Sequence, residues 1–397
     1  MKLATSIAAL VAFALFMTTS PAKSQTGQSS IFEVVPTPNE NFNNGLQAAS
    51  ASSPTDIWAV GQSAIHYDGT TWTAFHAPMI NGDNTSFLGG VVDISPTLAW
   101  AGGTVGIGEA NPGQVLLQWN GTEWSVYPGP GFGEGNQPSI KAMTATSAND
   151  VWAIGSLLGD DEEELFFLFE HWDGTTWKAT TAVSGDAFLL GASADATNDV
   201  WAVGFNGPEN DDSQTLALHY DGTAWQVSPT PSIGAGANQL NGVLALAPND
   251  VWAVGFSTSV APPQEAPTEN LIEHFDGTSW SIVPSPNVGP NSIYQSNRLF
   301  GLVANSSTDI YAFGSYFDAD GSGQQGTLLM HWDGTEWTIE PSPDPTKQSV
   351  HFVSDLLFAG VVPSPGNIWI FGAEDEAPHD GTLAINATTG AAAAAKF

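Results

Sequence analysis

Two short phrases alternate along the chain, and their spacing constrains the fold more than any other feature of the sequence. The first reads Asp-Val-Trp-Ala-Val-Gly, and its clear and weaker copies occupy 56–61, 98–103, 150–155, 199–204, 250–255, 309–314 and 367–372. The second reads His-Trp-Asp-Gly-Thr-x-Trp, and its copies occupy 66–72, 119–124, 171–177, 219–225, 274–280 and 331–337. A repeat of roughly fifty residues indicates a chain built from copies of one small unit.

The unit at 240–286 shows what each copy is expected to fold into. Residues 240–248 and 251–256 have the pattern of a first and a second strand joined by a Pro-Asn-Asp turn. The third and fourth strands meet at Asp276-Gly277, which suits a two-residue hairpin with positive φ. Four short strands in each repeat predict an all-β chain, namely a seven-bladed β-propeller of four-stranded antiparallel blades.

The two ends of the chain indicate how such a ring would close. The last repeat has only three strands before an alanine-rich tail at 391–397. Near the start, 32–38 matches the fourth strand at 337–343 position for position. We therefore expect a single propeller domain at 31–390, closed by the N-terminal strand at 31–38 as the outer strand of the seventh blade.

Residues 1–24 have the pattern of a secretory signal peptide. Lys2 precedes a run of apolar residues at 7–16, and small residues follow at 20, 22 and 24. The run is about half of the roughly 20 residues that a membrane span requires. We expect a secreted or periplasmic protein with no membrane span.

The charge of the chain excludes one class of partner. There are 41 Asp and Glu residues against 7 Lys and Arg, which gives a formal net charge of −34. Nucleic-acid binding needs clustered Lys and Arg to neutralise phosphates, so a nucleic-acid partner is excluded. The chain has no cysteine, which excludes disulfides, a thiol nucleophile and cysteine-ligated metal centres.

The two phrases resemble the Trp-rich repeats of secreted bacterial β-propeller proteins. The Asp-Gly-Thr-x-Trp hairpin is also similar to a shortened form of the Asp-box of sialidases and of related Asp-box and Kelch-like propellers. The resemblance covers nearly the whole chain after the signal peptide, and it implies a propeller scaffold. Because the Asp-box is a structural hairpin, the resemblance implies no activity.

Several conspicuous side chains are expected to be structural. All 15 tryptophans lie within the two phrases, where they are expected to pack between blades. The histidines of the second phrase occur once in each blade, so we expect a repeated hydrogen bond rather than a shared metal. These histidines are His66, His171, His219, His274 and His331.

Candidate ligand-binding residues lie in the loops that vary between repeats. The loops from second to third strands and the loops between blades open on one side of a propeller, which we call the loop face. Loops on a rigid scaffold usually carry specificity. Many of the second-to-third loops are acidic, and the aromatic and basic residues near this face are Phe42, Phe132, Tyr294 and Arg298.

One acidic loop contains half of a calcium-binding motif. Asp318, Asp320 and Ser322 are spaced as alternate oxygen ligands of a hard cation. The position that would complete the loop is Gly326 or Leu329, neither of which is a ligand. Calcium at Asp318, Asp320 and Ser322 is the only cofactor that the sequence suggests.

Three classes of function remain open. The first is a non-enzymatic binding propeller that recognises a glycan or another surface ligand on its acidic loop face. The second is a protein-interaction scaffold, and the third is a carboxylate-based hydrolase or lyase, with or without calcium. Arg298 is the only arginine, which cannot supply the arginine cluster of a sialidase, and no serine-elbow or zinc-protease motif is present. The sequence favours the first class.

Overall fold

The computed structural model describes residues 32–39, 44–75, 87–105, 113–132, 135–159, 164–207, 212–260, 267–289, 295–317, 325–345, 353–376 and 379–388. Within these ranges the chain forms 28 β-strands and no helix. Accordingly, none of the described residues belongs to a helix long and apolar enough to cross a membrane.

The strands pair antiparallel in consecutive groups of four, which we call blades and number along the chain. Blade 1 contains β2 (Leu46–Ser53), β3 (Asp56–Gly61), β4 (Ala64–Tyr67) and β5 (Trp72–Phe75). Blade 2 contains β6 (Phe87–Ser95), β7 (Leu98–Val105), β8 (Gly113–Trp119) and β9 (Trp124–Val126). Blade 3 contains β10 (Gln137–Ser147), β11 (Asp150–Leu158), β12 (Leu165–Trp172) and β13 (Trp177–Val183). Blade 4 contains β14 (Ala187–Ala196), β15 (Asp199–Asn206), β16 (Gln214–Tyr220) and β17 (Trp225–Val227).

The remaining strands belong to one continuous sheet of 12 strands. Blade 5 contains β18 (Asn238–Ala247), β19 (Asp250–Thr258), β20 (Thr268–Phe275) and β21 (Trp280–Ile282). Blade 6 contains β22 (Ser296–Ser306), β23 (Asp309–Phe317), β24 (Gln325–Trp332) and β25 (Trp337–Ile339). Blade 7 contains β26 (Val353–Ser364), β27 (Asn367–Glu376), β28 (His379–Thr388) and β1 (Glu33–Val34). Single parallel pairs, Thr268 with Ser296 and Gln325 with Ser354, connect these three blades.

The N-terminal strand lies at the outer edge of blade 7. Glu33 pairs with Asn386 and Val34 with Ile385, and the Val35 amide donates to the Ala384 carbonyl at 2.8 Å. Phe32 is buried, and its ring meets the Tyr311 ring of blade 6 edge-on, with centroids 5.6 Å apart. The N-terminal strand is thus paired with β28, the last strand of the described residues.

The hydrophobic core is divided among the interfaces between blades. The second strand of each blade carries the first phrase and is buried on both sides, so that it packs against two neighbouring blades. Each apolar cluster is shared by two blades that follow one another along the chain. One further cluster joins Trp369 and Phe371 of blade 7 to Leu46 and Ile57 of blade 1.

Every first strand contains a β-bulge at the same register. In blade 5, Leu240 pairs with Gly255 and Gly242 pairs with Val254, which leaves Asn241 unpaired. The six other blades skip one residue at the equivalent position. The bulge places the backbone carbonyl of the residue before Leu240 against Gly255, the last residue of the first phrase. A Cβ on Gly255 would lie 1.9 Å from the Gln239 oxygen.

The hairpin between third and fourth strands is longer than the two-residue turn that Asp-Gly predicted, so that prediction is wrong. Phe275 pairs with Trp280, which leaves four residues, 276–279, in the loop. The Asp276 carboxylate accepts hydrogen bonds from the Thr278 and Ser279 amides at 2.8 and 2.9 Å. Gly277 has a φ of 91°, and a Cβ there would lie 2.7 Å from the Asn249 side chain. The aspartate carboxylate thus shapes this turn as an Asx motif.

In four blades, a polar residue follows the Pro-x-Pro segment after the outer strand. Its side chain accepts a hydrogen bond from a backbone amide of the third strand. The Asn270 amide donates to the Asn287 side chain at 2.8 Å, and the Thr215 amide donates to the Ser232 hydroxyl at 3.1 Å. The same bond joins Thr327 to Asp344 at 2.6 Å and Thr382 to Asn39 at 2.8 Å. These side chains satisfy an amide beyond the end of the short outer strand.

The bulge makes a direct prediction for the glycine of the first phrase. Gly255→Ala should lower the free energy of unfolding by about 3 kcal/mol, the upper end of the usual cost of overpacking, because the methyl group collides with backbone that cannot move aside. Urea denaturation would measure the loss. Gly113→Ala is the matched control, since nothing lies within 4 Å of its Cβ position, and equal losses in the two variants would contradict the role assigned to the bulge.

Candidate functional site

The histidines of the second phrase bind the aspartate that begins the first phrase of the same blade. The Nε2–Oδ1 distances are 2.7, 2.6, 2.7, 2.9 and 2.8 Å for His66–Asp56, His171–Asp150, His219–Asp199, His274–Asp250 and His331–Asp309. Each imidazole also packs on the aromatic ring of the first phrase, with the His219 and Trp201 centroids 4.3 Å apart. The repeated hydrogen bond predicted from the spacing is present, and it engages the imidazole and the carboxylate of each pair with one another.

Blades 2 and 7 replace this pair by other groups. In blade 2 the two positions are Leu98 and Gln118. In blade 7 they are Asn367 and Asn386, whose side-chain amides are hydrogen-bonded at 3.0 Å. Since an uncharged pair serves at the same place, the Asp–His pairs are structural links between second and third strands. In the part of the chain that the structure describes, no group of three or more His, Asp or Glu residues could hold a metal ion.

The hairpin aspartates are also structural. Asp68 accepts hydrogen bonds from the Thr70 hydroxyl and from the Thr70 and Thr71 amides, and these bonds lower its pKa to about 2. Asp221 and Asp333 have the same surroundings and the same lowered pKa of about 2. These carboxylates are therefore fully charged at neutral pH, and the Oδ1 atom of each is used by the hydrogen bonds of its own turn.

The structure places two of the predicted ligand-binding residues and does not bring them together. Phe132 lies between blades 2 and 3, where its carbonyl accepts a hydrogen bond from the Asn136 side chain at 2.7 Å. Arg298 lies in the first strand of blade 6, and its guanidinium carbon is 4.3 Å from the centroid of the Phe256 ring of blade 5. The other predicted site residues lie outside the described ranges: Phe42, Tyr294 and the calcium half-motif Asp318, Asp320 and Ser322.

The seven residues that the register of the first and second strands skips form a set that sequence reasoning missed. They are Gln47, Gly89, Lys141, Leu190, Asn241, Phe300 and Phe358. Each is partly or fully exposed, although the aliphatic residue just before it is buried. We call them the bulge residues. The first strands are partly exposed along much of their length, and the bulge residues share this exposure.

Three contacts place the bulge residues of neighbouring blades close to one another. The Phe300 and Phe358 rings of blades 6 and 7 are 5.2 Å apart at an interplanar angle of 53°. The Asn241 side chain of blade 5 donates to the Leu299 carbonyl of blade 6 at 2.8 Å. A Cβ on Gly89 would lie 3.1 Å from the Lys141 Cα. The bulge residues of adjacent blades therefore lie side by side, with aromatic rings on one part of the set and polar groups on another.

Three acidic side chains with a raised pKa are buried between blades rather than exposed on the loop face. Glu170 and Glu273 have no solvent exposure, and burial raises their pKa to about 7 and about 8. Asp93 lies between blades 1 and 2, where burial and the neighbouring Asp56 carboxylate raise its pKa to about 7. Its carboxylate accepts a hydrogen bond from the Ser52 amide at 2.9 Å. None of the three is accessible enough to serve as a catalytic acid for an external substrate.

No protein-family model matches the sequence, and no curated protein is similar enough to match it. Solved structures do match. The structure of YCF48 bound to a D1 peptide is 13% identical, with a TM-score of 0.54, and covers 90% of this chain and 97% of that one. The RRP9 WD40 repeats are 7% identical, with a TM-score of 0.56, over 91% and 99%. An oligogalacturonate lyase in complex with manganese is 12% identical, with a TM-score of 0.50, over 92% and 97%. These similarities show that the chain has a β-propeller fold.

The Asp–His pairs make a testable prediction. His219→Ala should lower the free energy of unfolding by about 1–3 kcal/mol, because the buried Asp199 carboxylate loses a hydrogen bond. The double variant Asp199→Asn with His219→Asn reproduces the hydrogen-bonded pair of blade 7, keeps an acceptor for the Trp201 indole N–H, and should regain much of that loss. Urea denaturation of the three proteins would decide. If the double variant is less stable than His219→Ala, the pair has been assigned the wrong role.

Proposed function

We propose that the chain is an exported, non-enzymatic binding protein: a closed seven-bladed propeller that recognises a glycan or another surface ligand on its loop face and on the bulge residues below it. The observation that carries this proposal is a difference between two sets of side chains, the repeated histidines and aspartates on one hand and the bulge residues on the other. The repeated histidines and aspartates are used within their own blades, whereas the bulge residues differ from blade to blade and are accessible.

Two observations support closure of the ring. Consecutive blades share an apolar cluster, and an equivalent cluster lies between the last and the first blade. The N-terminal strand also supplies the fourth strand beside β28. In a closed ring the first strands surround the axis, so the bulge residues would line it at one level.

The bulge residues provide the chemistry that a ligand site needs. Phe300 and Phe358 offer adjacent aromatic rings, and Gln47, Lys141 and Asn241 bring amide and ammonium groups to the same level. Binding sites for small ligands combine apolar and aromatic walls with a few polar groups that fix the orientation. An aromatic pair can stack on the apolar side of a sugar ring while the polar groups bind its hydroxyls.

The burial of the acidic side chains with a raised pKa favours binding over catalysis. A carboxylate-based hydrolase needs two carboxyl groups at about 5–9 Å around an accessible bond. The acids with a raised pKa in the described residues are sealed between blades. The YCF48 structure contains a peptide and the lyase structure contains manganese, but sequence identities of 13% and 12% extend neither property to this chain. Calcium at Asp318 and Asp320 stays a prediction.

A thermal-shift experiment tests this proposal. The mature protein would be screened against neutral and acidic oligosaccharides, with poly-L-lysine as a model basic polymer. A ligand at 100 times its dissociation constant adds about 2.7 kcal/mol to the stability of the folded state, which raises the melting temperature visibly. We expect an oligosaccharide to produce a saturable shift that is lost in the double variant Phe300→Ala with Phe358→Ala.

The control is the double variant Ile282→Ala with Ile339→Ala, which removes exposed side chains from the outer strands of blades 5 and 6 and should keep the shift. A shift that survives in the phenylalanine variant would place the ligand elsewhere. A response to poly-L-lysine alone that weakens steeply with salt would identify an interaction scaffold instead. Breakdown of an oligosaccharide during the assay would identify an enzyme.

A further inference from the structure

Two glutamates occupy positions that the other blades fill with apolar core residues. Glu170 and Glu273 each precede the histidine of their blade, on β12 and β20. The residues at the equivalent place in the remaining blades are Ile65, Leu117, Leu218, Met330 and Ile385, and all of them are buried. A carboxyl group at this position is therefore a departure from the repeat, and it occurs in two blades.

Both side chains are directed at the preceding blade. Glu170 lies beside Gln114 of blade 2, and Glu273 lies beside Thr215 of blade 4. The Thr215 hydroxyl donates its hydrogen to the Pro231 carbonyl at 2.9 Å. Although these neighbours lower the pKa of each glutamate slightly, the carboxyl oxygens of both are buried and accept no hydrogen bond of regular geometry.

No charged group of the described residues compensates either carboxyl. Their surroundings contribute burial and one neutral polar side chain each. The nearest titratable residues on the same strands, His171 and His274, are bonded to Asp150 and Asp250 of their own blades. Burying an isolated carboxylate costs several kcal/mol, so each glutamate must be neutral when the interface is closed.

We infer that the interfaces between blades 2 and 3 and between blades 4 and 5 form a pH-sensitive device: the propeller is tightly closed while Glu170 and Glu273 hold a proton and loosens at these two places when they lose it. The other interfaces carry apolar residues at the same position and lack this response. Asp93, between blades 1 and 2, is a separate case because the Asp56 carboxylate lies beside it.

The direction of the pH dependence follows from the raised pKa values. The unfolded chain has ordinary glutamates with a pKa near 4.5, whereas the folded chain holds its protons until about pH 7 at Glu170 and about pH 8 at Glu273. Between these limits the folded state binds more protons than the unfolded state. The contribution of these two glutamates to the free energy of unfolding is therefore fully present below pH 4.5, falls as pH rises, and becomes constant above pH 8.

Melting temperatures measured from pH 5 to pH 9 test this inference. The variants Glu170→Gln and Glu273→Gln keep the shape of the side chain without its charge, and Glu170→Leu and Glu273→Leu reproduce Leu218 of blade 4. Relative to the wild type, the folding equilibrium constant should gain roughly 100-fold in the Glu170 variants and roughly 700-fold in the Glu273 variants between pH 5 and pH 9. These gains correspond to relative rises in melting temperature of about 3 °C and about 5 °C.

Glu336→Gln is the matched control, because it removes the same charge from an exposed hairpin and should leave the pH profile unchanged. Hydrogen exchange, corrected for its intrinsic pH dependence, provides a second readout. Protection of β12 and β20 in the wild type should fall above pH 8, while that of β24 and β28, in blades that border neither interface, is retained. Parallel profiles for the wild type and all four neutral variants, or equal loss of protection in every blade, would overturn the inference.

Discussion

The structure depends on one close approach between backbone atoms inside each blade. The bulge in the first strand directs a carbonyl oxygen at the glycine that ends the first phrase, where a Cβ would lie 2.0 Å away at Gly61 and 1.7 Å away at Gly372. The same contact occurs in all the blades of the described chain. Without a side chain at this glycine, the first strand can skip one residue, so the bulge residue leaves the ladder while the strand stays paired on both sides of it.

This arrangement separates residues that hold the fold from residues that are left to vary. The aspartates, histidines and tryptophans of the two phrases link the second, third and fourth strands, and the polar residue after Pro-x-Pro fixes the outer strand. These contacts repeat with little change from blade to blade. The bulge residues and the loops from second to third strands take no part in them, which is why a ligand site can differ in each blade without disturbing the repeat.

The sequence predicted most of the fold because its phrases coincide with strands. Asp250–Thr258 and Trp280–Ile282 lie where the phrases placed a second and a fourth strand, and β1 occupies the position expected for 31–38. The hairpin prediction failed because the Asp276 carboxylate, rather than a two-residue backbone turn, determines the loop. A propensity for positive φ at Asp-Gly does not distinguish the two cases.

The candidate site was less accessible to sequence reasoning. A bulge leaves no composition signal, since Gln47, Lys141 and Phe358 share a register but no chemistry. Comparison of the repeats position by position would have found Glu170 and Glu273, because each interrupts a column of aliphatic residues before the histidine. Which groups face them across the interface could not be read from one sequence, because those neighbours come from another blade.

Closure of the proposed ring depends on the N-terminal segment meeting β28, and an engineered crosslink measures this contact most directly. The Thr37 and Thr382 hydroxyl oxygens are 2.6 Å apart, and the chain has no cysteine of its own. Oxidation of the double variant Thr37→Cys with Thr382→Cys should give a monomer with an intramolecular disulfide and a raised melting temperature. Thr327→Cys with Ser342→Cys, whose hydroxyl oxygens are 2.7 Å apart within blade 6, is the positive control. A control that crosslinks while the 37–382 pair gives only free thiols or disulfide-linked dimers would contradict the closed ring.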